Sequence, residues 1–171
     1  MSSSWPGSVP LLIPELLRAL NQRGVEYVVI GGYALAAHRY VRGTDDLDVV
    51  PEPSRANLKR LVDAIEALDG TPVDVAGGLR SAELPVPFGL RSLLDGGTWA
   101  MSTRYGVLHV MQGVPGAESY DELRAGAKRV RLEDIGDVFF VGRDQLMRMK
   151  RATGRLKDQA DVEELLQRGD D

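Results

Sequence analysis

Two aspartates separated by a single residue carry the strongest chemical signal in the sequence. Asp46 and Asp48 stand at the start of a predicted β-strand that Pro51 ends. Because side chains alternate along a strand, both carboxylates point to one face, while Leu47 and Val49 face the core. Two carboxylates that are two positions apart on one face of a strand can share one or two hard cations such as Mg²⁺. Mg²⁺ leaves its other coordination positions to water and phosphate oxygens.

A second motif precedes the aspartates by thirteen residues. Gly31 and Gly32 follow Tyr27-Val-Val-Ile30, an apolar β-favouring run typical of a buried strand. Glycine lets a phosphate approach backbone N–H groups at the start of the following helix. Taken singly, Gly-Gly is often only a turn and Asp-x-Asp only a strand-edge feature. Together they indicate a phosphate cradle beside a metal site, as phosphoryl or nucleotidyl transfer requires.

The elements that must position these residues form a regular pattern of strands and helices. We expect helices from Pro14 to about Gly24, over 33–40, and after an N-cap at Ser54, where Leu58, Leu61 and Ile65 recur at helical spacing. Further strands are predicted over 105–111, 129–132 and 138–141, and helices over 143–152 and 157–167 with a bend at Gly154. Residues 70–97, with six glycines and three prolines, are interpreted as an irregular crossover or a lid.

This order predicts an α+β (α/β) fold in one domain over residues 1–171, with a mixed β-sheet flanked by helices and a loosely packed tail at 1–8. The composition supports a globular domain: 43% of the 171 residues are hydrophobic and 27% are charged. Zero cysteines exclude a disulfide framework and a thiolate metal site. Two histidines and a net charge of −4 exclude a His-rich metal site and disfavour a generally basic nucleic-acid surface. No apolar run reaches a membrane span and no secretory leader is visible, so we expect a cytoplasmic protein.

The string Val29-Ile-Gly31-Gly32, thirteen residues, then Asp46-Leu-Asp48-Val resembles the signature of the polymerase-β-like nucleotidyltransferase superfamily. The longer stretch through His38 and Arg42-Gly-Thr44 is similar to its AbiEii-like toxin branch and to small bacterial proteins near that branch. The resemblance implies a nucleotidyltransferase-like fold in which Gly31 and Gly32 hold a triphosphate. It also implies that Asp46 and Asp48 bind Mg²⁺, with Mn²⁺ as a substitute, and that a third carboxylate comes from a later strand.

The same resemblance assigns site roles to residues in two further segments. The run from Leu146 to Asp161 is similar to a Lys…Arg…Lys-Asp…Asp element of the branch, which assigns Lys150 and Asp158 to nucleotide contact or to completion of the site. Lys150 would also offset charge that develops during transfer. Thr44 and Arg42 would join the nucleotide site, although Arg42 could equally hold an aspartate in place.

One position departs from the family pattern. The segment 105–111 resembles the strand that carries the third carboxylate, and its slot holds His109. A neutral imidazole is a poor Mg²⁺ ligand and a weaker base than a carboxylate. Three outcomes stay open: weak chemistry on two aspartates, substitution by another acid such as Asp74, or a site without activity.

The resemblance therefore implies a Mg²⁺-dependent enzyme that moves an NMP from an NTP to a hydroxyl of RNA, such as tRNA, or of protein. The enzyme would be the toxin of a toxin–antitoxin pair, with an antitoxin as partner. The alternative is a catalytically impaired protein of this fold that binds nucleotide or a partner. A weaker third possibility is an RNA-binding domain based on the basic segment 143–157.

Overall fold

The central strands of the protein are the apolar segments that flank the two motifs. In a computed structural model that describes residues 9–73, 87–117 and 119–169, strand β1 spans Tyr27–Ile30 and β2 spans Asp46–Pro51. All four residues of β1 are buried. The predicted strands therefore form where expected, and Pro51 is the last residue of β2.

Seven strands form one mixed sheet in the described part of the chain, in the order β3-β4-β5-β2-β1-β7-β6. The other strands are β3 (Thr71–Val73), β4 (Thr98–Thr103), β5 (Gly106–Met111), β6 (Lys128–Leu132) and β7 (Gly136–Phe140). Strand β2 pairs antiparallel with β1 and parallel with β5, which places Ile30 and His109 on either side of Asp48. This register decides which side chains can meet at the candidate site.

Seven helices accompany the sheet in the same ranges: α1 (Ile13–Gln22), α2 (Gly31–Ala34), α3 (Arg55–Ala67), α4 (Leu90–Leu94), α5 (Tyr120–Ala125), α6 (Arg143–Thr153) and α7 (Leu156–Arg168). Helix α3 begins as predicted, because the Ser54 hydroxyl accepts a hydrogen bond from the Asn57 N–H. The bend between α6 and α7 falls at Gly154, whose φ of +65° is left-handed. The predicted α+β fold with a mixed sheet and flanking helices is confirmed.

Two expectations about local structure were wrong. The predicted helix over 33–40 is instead the short α2 followed by a 3-10 turn, Leu35–His38, and the chain leaves that turn with a left-handed Arg39. In the window 70–97, the described residues contain β3 and α4 rather than only an irregular crossover. Residues 74–86 of this window, and the predicted tail at 1–8, lie outside the described residues, so the interpretation of 70–97 as a lid stays a prediction.

The core is assembled from the faces that the sequence pattern predicts. Leu58, Leu61 and Ile65 of α3 are each at most 1% exposed. Helix α3 contacts β2, and α6 contacts α7. Pairing of β2 with β1 and β5 brings these three strands side by side, which is what a site built from three strands needs.

Candidate functional site

Asp46 and Asp48 lie on one face of β2, as the alternation of the sequence predicts. Their side chains are 27% and 17% exposed, whereas Leu47 and Val49 between and after them are fully buried. The two carboxylates therefore emerge together from a strand that its apolar neighbours anchor in the core.

His109 completes a three-residue cluster with these aspartates. Because β5 runs parallel to β2 with His109 opposite Asp48, the imidazole lies against both carboxylates. Its Nδ1 is 3.0 Å from Oδ1 of Asp48, and its Nε2 is 3.5 Å from Oδ2 of Asp46. We call Asp46, Asp48 and His109 the carboxylate–imidazole cluster. The imidazole thus occupies the position that the resemblance assigns to a third carboxylate.

The electrostatics of this cluster show a shortage of positive charge. Burial and the neighbouring negative charge of Asp48 together raise the pKa of Asp46 to about 6, against the opposing effect of His109. The Asp48 carboxylate raises the pKa of His109, while burial opposes that shift. A cation bound here would relieve the repulsion between the two aspartates.

The donor set of the cluster fits a divalent cation. One ligand atom from each of Asp46, Asp48 and His109 lies within 4.8 Å of the other two. Among the described residues, no group makes a well-oriented hydrogen bond to the buried Oδ1 of Asp48, despite the nearby Nδ1 of His109. A buried carboxylate oxygen without a hydrogen bond is unfavourable unless a ligand satisfies it.

The Gly-Gly turn and the aspartates are linked by direct packing. Gly31 has φ of +73°, and a Cβ at this position would overlap Oδ2 of Asp48. A Cβ on Gly32 would lie 3.0 Å from Oγ1 of Thr44 and 3.3 Å from Nη1 of Arg42. Thr44 in turn donates a hydrogen bond to the backbone oxygen of Asp46. The glycines therefore permit the loop before β2 and the Asp48 carboxylate to close against the end of β1.

A second group of charged residues lies where the last two helices meet the loop before β2. Asp161 accepts hydrogen bonds from Nε and Nη2 of Arg42, at 2.9 and 2.7 Å, and pairs with Nζ of Lys150 at 2.9 Å. Asp158 accepts hydrogen bonds from Thr153 and Arg155 and lies 3.6 Å from Nζ of Lys150. We call Arg42, Lys150, Arg155, Asp158 and Asp161 the C-terminal charge network. Of the two roles left open for Arg42, the structure shows that it holds an aspartate, and that this aspartate is Asp161.

Both aspartates of the network are stabilised as anions. Burial opposes the ionisation of Asp158, but hydrogen bonds from Arg155 and Thr153 lower its pKa to about 2. Burial likewise opposes the ionisation of Asp161, and hydrogen bonds from Arg42 and Lys150 lower its pKa. These two side chains are only 1% and 2% exposed, so their partners are essential to keep the buried charges satisfied.

A small cavity connects the two charged groups. Its volume is about 80 Å³, and Asp48 and Gly31 line one part of it while Lys150 and Arg155 line another. The apolar wall includes Met111, Val114, Leu146 and Met149. This volume is far below the roughly 300–1,000 Å³ of pockets that enclose small ligands, so a larger ligand would extend outward from it. A larger groove of about 460 Å³, between α1 and the end of α3, is lined by other residues.

Arg155 is a charged residue of the cavity lining that the sequence pattern did not assign to the site. Its side chain is 65% exposed and contributes to the cavity that Gly31 and Asp48 also line. The sequence signal was present, because Arg155 belongs to the basic run that resembles the family element. His38, in contrast, is buried and bonds the backbone oxygen of Val141, as expected for a packing residue. Asp74, the substitute acid considered above, lies outside the described residues.

Comparisons with known proteins agree with the architecture. No protein-family model and no curated protein sequence matches the chain. The structure is similar to the antibiotic-resistance factor ANT(2'')-Ia, with a TM-score of 0.57 and 14% identity over 91% of this chain and 80% of that chain. It is also similar to an antigenic nucleotidyltransferase-like protein from Paracoccidioides brasiliensis, with a TM-score of 0.55 and 15% identity over 91% of this chain and 72% of that chain.

These similarities define the class of fold, which is nucleotidyltransferase-like, as the sequence resemblance implied. The narrower AbiEii-like branch stays a prediction. In the described ranges, we find no helix that is both long and apolar enough to cross a membrane.

Proposed function

We propose that the protein is a nucleotidyltransferase that moves an NMP from an NTP to an acceptor hydroxyl with the help of a divalent cation. The observation that carries the proposal is the carboxylate–imidazole cluster, in which two aspartates converge without enough positive charge beside them. The nucleotidyltransferase-like fold and the packing of Gly31 against Asp48 support the same assignment.

Each part of the site has a distinct task in this reaction. Asp46 and Asp48 hold the cation, which when bound supplies neutralisation of phosphate charge. Gly31 and Gly32 admit the β- and γ-phosphates to the backbone next to Asp48. The acceptor hydroxyl oxygen attacks the α-phosphorus in line and loses its proton to solvent, the bond from that phosphorus to the bridging oxygen breaks, and pyrophosphate leaves.

The C-terminal charge network would orient the nucleotide, because Lys150 and Arg155 line the same cavity as Gly31 and Asp48. Lys150 has three N–H donors, and its contacts with Asp161 and Asp158 leave one for a phosphate oxygen. Arg155 is exposed enough to offer its guanidinium as well. Asp158 completes the site by pairing with the side chains of Lys150 and Arg155. Arg42 and Thr44 fix the loop that precedes β2.

The acceptor that the sequence resemblance implies is a hydroxyl of RNA, such as tRNA, or of protein. Under that proposal the protein is a toxin whose partner is an antitoxin, and its production should arrest growth unless Asp46 is replaced by Asn. The fold is also that of an antibiotic-resistance factor, so antibiotics with free hydroxyls form the second acceptor class for the assay.

The first test measures nucleotide binding, because it needs no knowledge of the acceptor. We expect each NTP that binds to do so in the presence of Mg²⁺ or Mn²⁺ but not in EDTA, as measured by calorimetry. The double variant Asp46→Asn/Asp48→Asn should lose this binding, and transfer of label from α-³²P NTP should fall about 10²- to 10³-fold in each single variant. The matched control is Asp63→Asn, which removes an exposed carboxylate paired with Lys59. Metal-dependent binding that survives the double substitution would contradict the proposal.

A second candidate function is binding of nucleotide or of a partner without chemistry. The specific observation in its favour is His109, since the imidazole fills the third-carboxylate position. Replacement of His109 by Asp separates the two candidates. Transfer that appears only in His109→Asp would identify the natural protein as a binding module, whereas transfer by the wild type identifies an enzyme.

A further inference from the structure

We propose that Asp46, Asp48 and His109 form a binding site that prefers an imidazole-binding transition-metal dication, of the Zn²⁺ and Co²⁺ class, over Mg²⁺. The inference rests on the proposed function, since it concerns the ion at the same two carboxylates. It differs from what the sequence resemblance implies, which is a Mg²⁺ site made of oxygen ligands.

The sheet register places His109 beside the two carboxylates. The parallel pairing of β2 and β5 fixes the backbone of His109 opposite that of Asp48, so the imidazole is attached within reach of both aspartates. The His109 side chain is 17% exposed, as is that of Asp48. An ion that binds to the two aspartates therefore meets a ring nitrogen at the same position.

The distances suit coordination of one ion by all three side chains. One ligand atom from each residue lies within 4.8 Å of the other two. Nδ1 of His109 is 3.0 Å from Asp48 and Nε2 is 3.5 Å from Asp46, so one ion would take one of the two ring nitrogens. Donors bound at about 2.0–2.1 Å to a tetrahedral ion lie about 3.3 Å from one another. Side-chain rotations that turn one ring nitrogen and both carboxylates toward a common point would bring the donors to this spacing, and the partial exposure of the cluster leaves a fourth position for water or substrate.

The donor chemistry decides which ion is preferred. Mg²⁺ is a hard cation that takes oxygen ligands and dehydrates reluctantly. Imidazole nitrogen is a good ligand for Zn²⁺ and for neighbouring transition metals, whose affinities for mixed nitrogen and oxygen sites exceed that of Mg²⁺. Two carboxylates, one imidazole and one open position match the ligand count of a catalytic zinc site. The buried Oδ1 of Asp48, which lacks a well-oriented hydrogen bond, would gain a partner.

The test uses the full-length, metal-free protein and no nucleotide. Zn²⁺, Co²⁺ and Mg²⁺ are titrated separately at pH 8, and affinities are measured by calorimetry, with the visible absorption of Co²⁺ as a second readout. We expect Zn²⁺ and Co²⁺ to bind at least about tenfold more tightly than Mg²⁺. In His109→Asp, the ratio of Co²⁺ to Mg²⁺ affinity should fall at least about tenfold, since loss of metal-site interactions typically costs 10- to 100-fold.

Nuclear magnetic resonance gives a direct readout that does not depend on any variant folding. The sequence has two histidines, and His38 is buried against Val141 away from the cluster. With ¹⁵N-labelled histidine, Zn²⁺ should change the ¹⁵N chemical shift of one ring nitrogen of His109, while the chemical shifts of both ring nitrogens of His38 stay unchanged. Zn²⁺ binding without a shift at His109, or Mg²⁺ binding as tight as that of Zn²⁺, would overturn the inference.

The outcome is separable from that of the proposed function. If Mg²⁺ supports nucleotide transfer but no preference for Zn²⁺ or Co²⁺ is found, the inference about the ion fails and the proposed function stands. If Zn²⁺ shifts His109 but no nucleotide binds under any metal condition, the ion site stands and the proposed function fails.

Discussion

The protein contains two clusters of charged side chains that both contribute residues to the lining of one small cavity, and their charges are balanced in opposite ways. In the carboxylate–imidazole cluster, two partly exposed aspartates share one histidine, and the pKa of Asp46 is raised. In the C-terminal charge network, two buried aspartates are surrounded by one lysine and two arginines, and their pKa values are lowered.

This difference in charge balance indicates that the carboxylate–imidazole cluster can bind a cation, whereas the C-terminal charge network stabilises the fold. Surplus negative charge costs stability in the absence of a cation, and such uncompensated groups are typical of functional sites. Asp158 and Asp161, in contrast, are paired with basic side chains. Asp158 pairs with residues of α6 and the turn before α7, and Asp161 connects α7 to α6 and to the loop before β2. The same residue type therefore serves two purposes, and the surroundings decide which.

The largest effect is expected at Asp161. Asp161→Asn removes the charge that pairs with Arg42 and with the buried Lys150, and loss of one partner from a buried ion pair typically costs about 3–5 kcal/mol. We expect the free energy of unfolding, measured by urea denaturation, to fall by that amount. The control Asp63→Asn breaks an exposed pair with Lys59 and should change stability by less than about 0.5 kcal/mol. Equal effects of the two substitutions would remove the distinction between network and surface pairs.

The next effect tests the contact between the Gly-Gly turn and the aspartates. Gly31→Ala adds a methyl group that overlaps the Asp48 carboxylate at a φ of +73°, so we expect both lower stability and loss of metal binding by calorimetry. Gly113→Ala is the matched control, because Gly113 has φ of +71° with nothing within 4 Å of its added Cβ. It should show only the backbone strain, about 1–3 kcal/mol, with metal binding intact. Metal binding that is retained in Gly31→Ala would show that Asp48 is free to move.

A pH dependence follows from the lowered pKa of Asp158. Because the folded pKa of about 2 lies below the ordinary value of 3.8, its ionised form stabilises the folded protein above pH 4, and this contribution is lost as pH falls toward 2. Urea denaturation at several pH values should show stability falling through this range, with a smaller slope in Asp158→Asn. An unchanged slope in the variant would mean that Asp158 is not the group responsible.

The smallest effect has the opposite sign and concerns Asp46. Since its folded pKa of about 6 lies above 3.8, its charge costs stability above pH 6, and this cost disappears as pH falls through 6 toward 4. In EDTA at pH 8, Asp46→Asn should therefore stabilise the fold by about 1 kcal/mol, because solvent screens the partly exposed pair. The gain should shrink at pH 5, and a loss of stability at pH 8 would assign Asp46 a structural role instead.

The sequence predicted the strands that bear the site, and the structure confirms them. Apolar runs or strict alternation predict buried strands such as β1 and β2, since every inward position of such a strand must be apolar. Strands β3 and β4 and helices α4 and α5 were missed. They are short or contain residues that strands disfavour, such as Pro72 and Ala100, so their pattern is weak. Pairing of β4 with β5, and of β3 with β4, supplies the stability that the local sequence of these strands lacks.

The candidate site likewise has some features that the sequence predicts and others that it does not. That Asp46 and Asp48 share a face, and that Asp158 and Asp161 share a face of one helix, follows from the period of a strand and of a helix. The partner of Arg42 could not be read from the sequence, because Asp161 lies 119 positions away. The role of Arg155 at the cavity depends likewise on how α6 and α7 pack.

The sequence by itself determined the local geometry: a buried strand that ends in two glycines, and a strand that presents two carboxylates to one side. These features depend only on neighbouring residues and on the repeat of the backbone. The tertiary structure alone decided that His109 stands beside both carboxylates, that Gly31 packs against Asp48, and that Asp161 is neutralised by Arg42 and Lys150. Those contacts join distant segments, and the register of the sheet and the packing of the last two helices determine them.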